Sequence, residues 1–265
     1  MAPALTGKTR VHALIGSPIA QVLAPGWLTE RMREAGYDGV LVPLQVEKGS
    51  LDWALPVLKA MPNIDSILIT LPHKFGAIAH CDRLSERARV LGAINAMRRE
   101  EDGRWFGDNF DGAGLTAGLK KAGHTIRGKG VYMIGAGGAG SSIGVSMLEE
   151  GARHLTFHDI NANSQNTLLA KLSAAYGGRV AVGTTVPPDC EIVVNATSAG
   201  LRDSDPLPVN PGELTSRMVV ADVITDPVPT RLLLEAAKCG CATRDGTHML
   251  DGQIDLLFAF MLGKR

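Results

Sequence analysis

Two stretches of this 265-residue chain combine side-chain types that could carry a reaction. The first is Thr70-Leu71-Pro72-His73-Lys74, directly after the apolar run Ile64-Asp65-Ser66-Ile67-Leu68-Ile69. A lysine in such a place is ordinarily a solvated loop charge, and a role in proton transfer requires an acid partner. Gly107-Asp108-Asn109-Phe110-Asp111-Gly112 offers two carboxylates for that part. His73 is a second candidate donor, although the adjacent proline and lysine favour an outward-facing ring. The other stretch is Val131-Tyr132-Met133-Ile134 running into Gly135-Ala136-Gly137-Gly138-Ala139-Gly140, with a helical pattern over 141–150. In a Gly-x-Gly-x-x-Gly turn the first glycine permits the bend and the second admits a pyrophosphate against the backbone. The third lets the helix pack close on the strand. Free N–H groups and the positive dipole end of that helix favour phosphate.

A glycine fingerprint alone is weak. Here the next unit, Arg153-His154-Leu155-Thr156-Phe157-His158-Asp159, is a second apolar strand closed by an acid. It falls about 20 residues on, where a carboxylate receives the ribose 2′-hydroxyl and repels a 2′-phosphate. NAD is therefore expected in preference to NADP. The plainer alternative is that Asp159 only caps the following turn.

The elements that must hold these residues follow from the apolar pattern. Strands are expected at 11–16, 39–46 and 64–70, with Pro43 marking a strand end or a sheet edge. Helices are expected at 25–35, after Ser50, at 75–81 and at 85–90, and Pro56 is taken to lie close enough to the start of its helix to be tolerated. Two strands, 93–99 and 104–107, flank the turn Glu100-Glu101-Asp102-Gly103. Beyond a helix at 111–122 come the glycine turn, strands at 180–182, 192–196 and 218–224, helices at 163–175 and 230–238, and a last apolar helix near 249–262. This rhythm predicts an α/β protein of two domains. Residues 1–109, with the C-terminal helix 247–265 packing back, form an α/β substrate domain; 110–246 form a doubly wound Rossmann domain. Gly135, Asp159 and Asn195-Ala196-Thr197-Ser198 all fall at the carboxyl ends of strands, where such sheets bind ligands.

Composition excludes several classes. Basic and acidic residues number 27 each, which argues against a nucleic-acid footprint or a membrane-surface patch. Cys81, Cys190, Cys239 and Cys241 lack disulfide-framework or zinc spacing, so reduced thiols and no metal are expected. Met1-Ala2-Pro3-Ala4-Leu5 carries no signal pattern, no apolar run reaches spanning length, and a cytoplasmic protein acting on a small molecule is expected. Oligomeric state is not legible, which leaves a homodimer open.

Taken in order, these motifs resemble the shikimate and quinate dehydrogenase family along the whole chain. Gly16-Ser17-Pro18-Ile19 is similar to the family's Gly-x-Pro-Ile, Thr70 to Lys74 to its Thr-x-Pro-His-Lys, and Gly92-Ala93-Ile94-Asn95 to its Gly-Ala-x-Asn. Asp108 to Gly112 resembles Asp-Asn-Thr-Asp-Gly, Gly135 to Ala139 is the same Gly-Ala-Gly-Gly-Ala, and Asn195 to Leu201 nearly repeats Asn-Ala-Thr-Ser-x-Gly-Met. Gly246, Met249-Leu250 and Gln253 match the closing segment. The resemblance implies reversible hydride transfer between a ring hydroxyl carbon and a nicotinamide, with Lys74 and Asp111 beside the reacting oxygen. It implies substrate contacts from Thr70, Asn95, Asp111 and Gln253, and cofactor contacts from Gly135 to Ala139, Asp159, Asn195, Thr197, Ser198, Ile224 and Gly246. A free lysine is more basic than a proton carrier at neutral pH; desolvation lowers such a pKa and a neighbouring carboxylate raises it.

The departures cluster. Where the family carries Ser-x-Ser or Ser-x-Thr to hold a substrate carboxylate, this chain has Val22 and Ala24. Hydrogen bonds to a charged group contribute about 1.5–3 kcal/mol each. Losing two costs about 3–6 kcal/mol, or roughly a hundredfold to ten-thousandfold in affinity. Ala96 and Phe110 replace motif threonines, and Thr225 stands where tyrosine is usual. A substrate keeping the ring diol but lacking the carboxylate is expected, a cyclic polyol or its ketone, with Gln21 as a replacement donor if shikimate is bound. After the second strand, Asp159-Ile160-Asn161 replaces the Asn-Arg-Thr of NADP-binding members, again favouring NAD. Two other readings share the architecture. One is a folate-type methylene dehydrogenase, against which the Asp111 and Gln253 segments speak. The other is a nicotinamide-binding sensor without turnover, for which a proton-transfer pair would be superfluous.

Overall fold

The computed structural model describes residues 5–20 and 22–263. The chain divides into two compact units, Met1–Phe110 with Ile254–Arg265, and Asp111–Gln253. Gln21, named above as a replacement donor, lies outside the described residues, as do residues 1–4.

In the first unit, β1 (Arg10–Gly16) is followed by α1 (Ala24–Glu34), β2 (Gly39–Gln45), α2 (Leu51–Ala60) and β3 (Ile64–Ile69). A 3₁₀ turn, Gly76–His80, leads to β4 (Arg83–Leu84), α3 (Glu86–Leu91), β5 (Ala96–Arg99) and β6 (Trp105–Asp108). The sheet order is β2-β1-β3-β5-β6-β4. β1 runs parallel to both β2 and β3, while β5 is antiparallel to β3 and β6. β1 and β3 are near-continuous apolar runs because both their faces are covered. Ile15, Leu55, Ile67, Met97 and Trp105 anchor the core. Pro43 sits in β2, which is an edge strand, where its missing N–H removes no ladder bond. Pro56 differs from expectation: α2 runs through it from Leu51 to Ala60, so it is interior and not part of the first turn. It is exposed, where water can satisfy the freed carbonyl.

The second unit begins with α4 (Asp111–Lys121). Then come β7 (Gly130–Ile134), α5 (Gly138–Glu149), β8 (His154–His158), α6 (Ala162–Tyr176) and β9 (Val180–Val182). They are followed by β10 (Cys190–Asn195), β11 (Val219–Asp222), α7 (Arg231–Lys238) and β12 (Ala242–Arg244). α8 (Gly246–Met261) contributes its first half here, and the chain returns to the first unit at Ile254. All ladders in this sheet are parallel, in the order β12-β11-β10-β7-β8-β9. Read from β9, that is 3-2-1-4-5-6, the doubly wound order whose switch point lies between β7 and β10. β4 and β12 were not anticipated, since two or three partly buried residues carry no alternation to read.

Glycines on α4 set how closely its neighbours approach. A Cβ at Gly112 would lie 2.1 Å from the Ser142 carbonyl oxygen of α5. Cβ atoms at Gly114 and Gly118 would lie 2.6 and 2.3 Å from the carbonyl oxygens of Met249 and His248. From the α8 side, a Cβ at Gly252 would meet the Gly114 oxygen at 2.3 Å. The start of α8 is thus held against α4 by backbone contact, and the seam delivers one pair of candidate site residues, Asp111 and Gln253.

Candidate active site

In the first unit, parallel pairing of β1 and β3 brings the segments that follow them together. Ser17 N–H donates to the Leu71 carbonyl and Thr70 N–H to that of Ile15, each at 2.9 Å. His73 does not face outward as expected: it is buried, with Nε2 2.7 Å from the Val46 carbonyl oxygen. It braces the loop from inside, and the half-buried Lys74 is left as the candidate of this segment. The Lys74 carbonyl accepts from Ile94 N–H at 2.9 Å, tying it to the Gly92–Asn95 turn. Asn95 is buried; its Oδ1 accepts from Phe110 N–H at 2.9 Å, and its N–H donates to the Asp108 carbonyl at 3.1 Å.

The two carboxylates of the Asp108–Asp111 segment separate by role. Asp108 is buried and accepts from Arg87 twice, each at 2.7 Å, from Ser85 Oγ, and from Asn109 N–H at 2.7 Å. It is spent on holding the turn. Asp111 opens α4 and accepts from Gln253 Nε2 of α8 at 3.0 Å, the pair delivered by the glycine seam. Arg87 and Ser85 escaped sequence reading as partners of Asp108; Ser85, expected only as the start of a helix, is its N-cap, accepting from Ala88 N–H at 3.1 Å.

Val22 and Ala24 sit at the entrance to α1. Val22 N–H donates to the Ile19 carbonyl at 3.0 Å, and the N-cap Leu23 supplies no side-chain cap. Neither side chain has a hydroxyl. The nearest upstream one, Ser17 Oγ, donates to Glu47 at 2.8 Å. Hydrogen bonds from Gln45 and Ser17 hold the Glu47 carboxyl below the usual carboxylate range.

In the second unit the turn after β7 fits a dinucleotide. Gly135 has φ +103° and would place a Cβ 2.8 Å from Thr197 Cγ2; a Cβ at Gly140 would lie 2.0 Å from the Gly135 oxygen. Cβ atoms at Gly137 and Gly138 would meet nothing within 4 Å, and both are exposed. Gly137 caps α5 without a side-chain bond, so the first-turn N–H groups face the space a diphosphate would take. Asp159 Oδ2 accepts from Ala136 N–H at 2.6 Å and Oδ1 from Asn161 N–H at 2.7 Å. The capping of α6 falls instead to Asn161, whose Oδ1 accepts from Asn163 and Ser164.

Asn195 is a correction. It is fully buried, Nδ2 donating to Ala199 O at 3.0 Å and Asp222 Oδ1 at 3.1 Å, and Oδ1 accepting from Thr197 N–H and Oγ1. Its amide shapes the loop and has no surface to offer a cofactor. Burial pushes the Asp222 carboxyl up, against the donors Asn195, Ile224 N–H and Thr230. Thr197 is half-buried and Ser198 exposed; Ile224 is buried, and Gly246 N–H donates to its carbonyl at 3.0 Å. Among the described residues no cluster suits a metal ion, and no helix is long and apolar enough to cross a membrane.

Residues 14–97 match the model of the shikimate dehydrogenase substrate-binding domain. The shikimate dehydrogenase (NADP(+)) of Rhodospirillum rubrum is 34% identical over 257 residues, covering 93% of this chain and 89% of that one. This chain belongs to the shikimate/quinate dehydrogenase family. Among solved structures, shikimate 5-dehydrogenase from Listeria monocytogenes in complex with shikimate and NAD has TM-score 0.93 at 26% identity, covering 100% of this chain and 96% of its own. The ligand-free 5-ketofructose reductase of Gluconobacter sp. strain CHM43 has TM-score 0.90 at 31% identity, covering 98% and 95%. As a family member the chain is an α/β oxidoreductase of the alcohol dehydrogenase type. Relatives with NADP and with NAD are both represented.

Proposed function

We propose that the chain interconverts a ring alcohol and its ketone on a polyhydroxylated substrate without a carboxylate, with NAD as the preferred cofactor. The observation that carries the substrate half is the pair Val22 and Ala24, where the family's carboxylate-binding hydroxyls would stand and where Ser17 is bonded to Glu47 instead. The 5-ketofructose reductase relative, named for an uncharged sugar ketone, supports it. Bound nicotinamide supplies or takes up the hydride. Lys74 gives the proton to the nascent alkoxide, or takes it in oxidation, and Asp111, held by Gln253, orients the hydroxyl. Thr70 and Asn95 serve the neighbouring hydroxyls.

For the cofactor, Asp159 presents a carboxylate beside the glycine turn, and the next residue, Ile160, is apolar and 99% exposed. A 2′-phosphate would meet a negative charge there, and Ile160 and Asn161 bring no guanidinium to it. The Rhodospirillum rubrum relative is named for NADP(+), so the proposed preference rests on this chain's own residues at positions 159 and 160.

Reduced-nicotinamide absorbance, with NAD and NADP each offered shikimate, quinate and uncharged cyclic polyols and keto-sugars, tests both halves. Turnover of an uncharged polyol or its ketone, with shikimate at least a hundredfold poorer in kcat/KM, is expected. Micromolar KM for shikimate would end the substrate proposal, and equal or better use of NADP would end the cofactor one.

A further inference from the structure

Three of the chain's six phenylalanines gather at one place in the first unit. Phe260, on the C-terminal half of α8, lies with its ring 5.0 Å from Phe110 in an edge-on contact and 6.1 Å from Phe106 of β6. Together with Leu84, Leu256 and Ala259 they floor a cavity of about 530 Å³, within the size range of small-molecule sites. Its walls are guanidinium groups lying over those rings. Arg87 stands 4.8 Å above Phe110, and Arg98 stands 4.8 Å above Phe260 and 5.6 Å above Phe106.

Four arginines line the cavity against two carboxylates, and they divide by burial. Arg87 is bidentate to Asp108, and Arg98 bonds Glu100 at 2.8 Å and the Phe260 carbonyl at 3.2 Å. Both are fixed parts of the wall. Arg83 and Arg89 stand at the rim with side chains 43% and 58% exposed; Arg83 is paired with the half-buried Glu100 and, at 3.5 Å, with Asp102, and Arg89 with the exposed Glu86. Exposed pairs of that kind contribute little and are exchanged readily for another anion. An apolar, aromatic floor below two weakly committed guanidiniums suits one kind of guest: a flat apolar body bearing a single acidic group at one end.

We infer that this cavity is a second ligand site, separate from the glycine turn and from Lys74, which takes a small aromatic or otherwise flat monoanion. The ring stacks on Phe106, Phe110 and Phe260, and the carboxylate or sulfonate is received by Arg83 and Arg89. The lining residues all belong to the first unit, and Lys74 and the glycine turn are not among them.

The test is a titration of the full-length protein, kept saturated with NAD, with the fluorescent anion 1-anilinonaphthalene-8-sulfonate. In parallel, benzoate and its uncharged isostere benzamide are followed by calorimetry. The variant Arg83→Ala/Arg89→Ala removes only rim side chains, and Phe106→Ala shortens the floor. Saturable binding of one equivalent is expected, weaker by about tenfold in the double arginine variant, with benzoate favoured over benzamide by a similar factor. Phe106→Ala should weaken both benzoate and benzamide. Four results would overturn the site: no saturable binding, equal affinity for benzoate and benzamide, binding that the rim and floor variants leave unchanged, or binding lost as the protein self-associates over the cavity.

Discussion

The glycine turn of the second unit and the α1 entrance of the first differ in what specifies them. Around Gly135 and Gly140 the site is made of backbone. A Cβ at position 140 would sit 2.0 Å from a carbonyl oxygen, so the sequence there has almost no freedom. At Val22 and Ala24 the proposed substrate contact would be made by side chains, on a turn whose backbone bonds, such as Val22 N–H to Ile19 O, do not depend on residue type. Hydroxyls there can be exchanged for methyl groups without disturbing α1.

That contrast can be broken or sharpened experimentally. The largest effect is expected for Lys74→Ala: kcat should fall by roughly 10²–10⁴-fold, while NADH affinity by fluorescence titration stays within about twofold. A parallel loss of cofactor affinity would undo the division of labour between the units. Next, Val22→Ser with Ala24→Ser should improve shikimate kcat/KM by roughly a hundredfold or more, since two hydrogen bonds to a charged group are restored. An unchanged value would place the determinant of substrate choice elsewhere.

The third effect concerns stability of the first unit. His12 of β1 is fully buried, with Nδ1 2.7 Å from Ser66 Oγ, and desolvation lowers its pKa to about 4. Asp65 acts in the opposite direction and Arg10 with the burial. Its folded pKa lies below the unfolded one, so the unfolded chain binds the extra proton. Stability is then intact above about pH 6.5 and declines as pH falls towards 4, by roughly 3 kcal/mol over that window. Denaturant melts at several pH values should show this slope, and His12→Phe should flatten it. The smallest effect is expected for Asp159→Ser with Ile160→Arg, a shift of about tenfold towards NADP in the ratio of kcat/KM values. A shift with no change in substrate preference would show the two units set their specificities independently.

Much of the architecture was legible because both sheets are built from buried apolar runs and the glycine spacing has a strict steric meaning. What was missed has common physical causes. β4 and β12 are too short to carry a period. Pro56 was misjudged because its cost depends on whether the freed carbonyl reaches water, a question of exposure. His73 and Asn195 sit in motifs whose residue types suggest chemistry, yet each is consumed by partners inside its own unit, at Val46 and at Asp222 and Thr197. The same holds for Asp108: residue types alone offered it beside Asp111, the resemblance singled out Asp111, and Arg87 and Ser85 are what occupy Asp108. Motif reading found the positions; only the partners distinguish a bracing side chain from one left to meet a ligand.

The seam between α4 and the start of α8 has a consequence for inheritance of defects. Gly114, Gly118 and Gly252 carry no chemical group, yet a single added methyl at any of them would be driven into a carbonyl oxygen at 2.3–2.6 Å. Since Asp111 and Gln253 are delivered by these two helices, such lesions would mimic the loss of a reactive residue. In a collection of inactive alleles, the most damaging replacements outside the reacting residues should therefore be glycine to alanine.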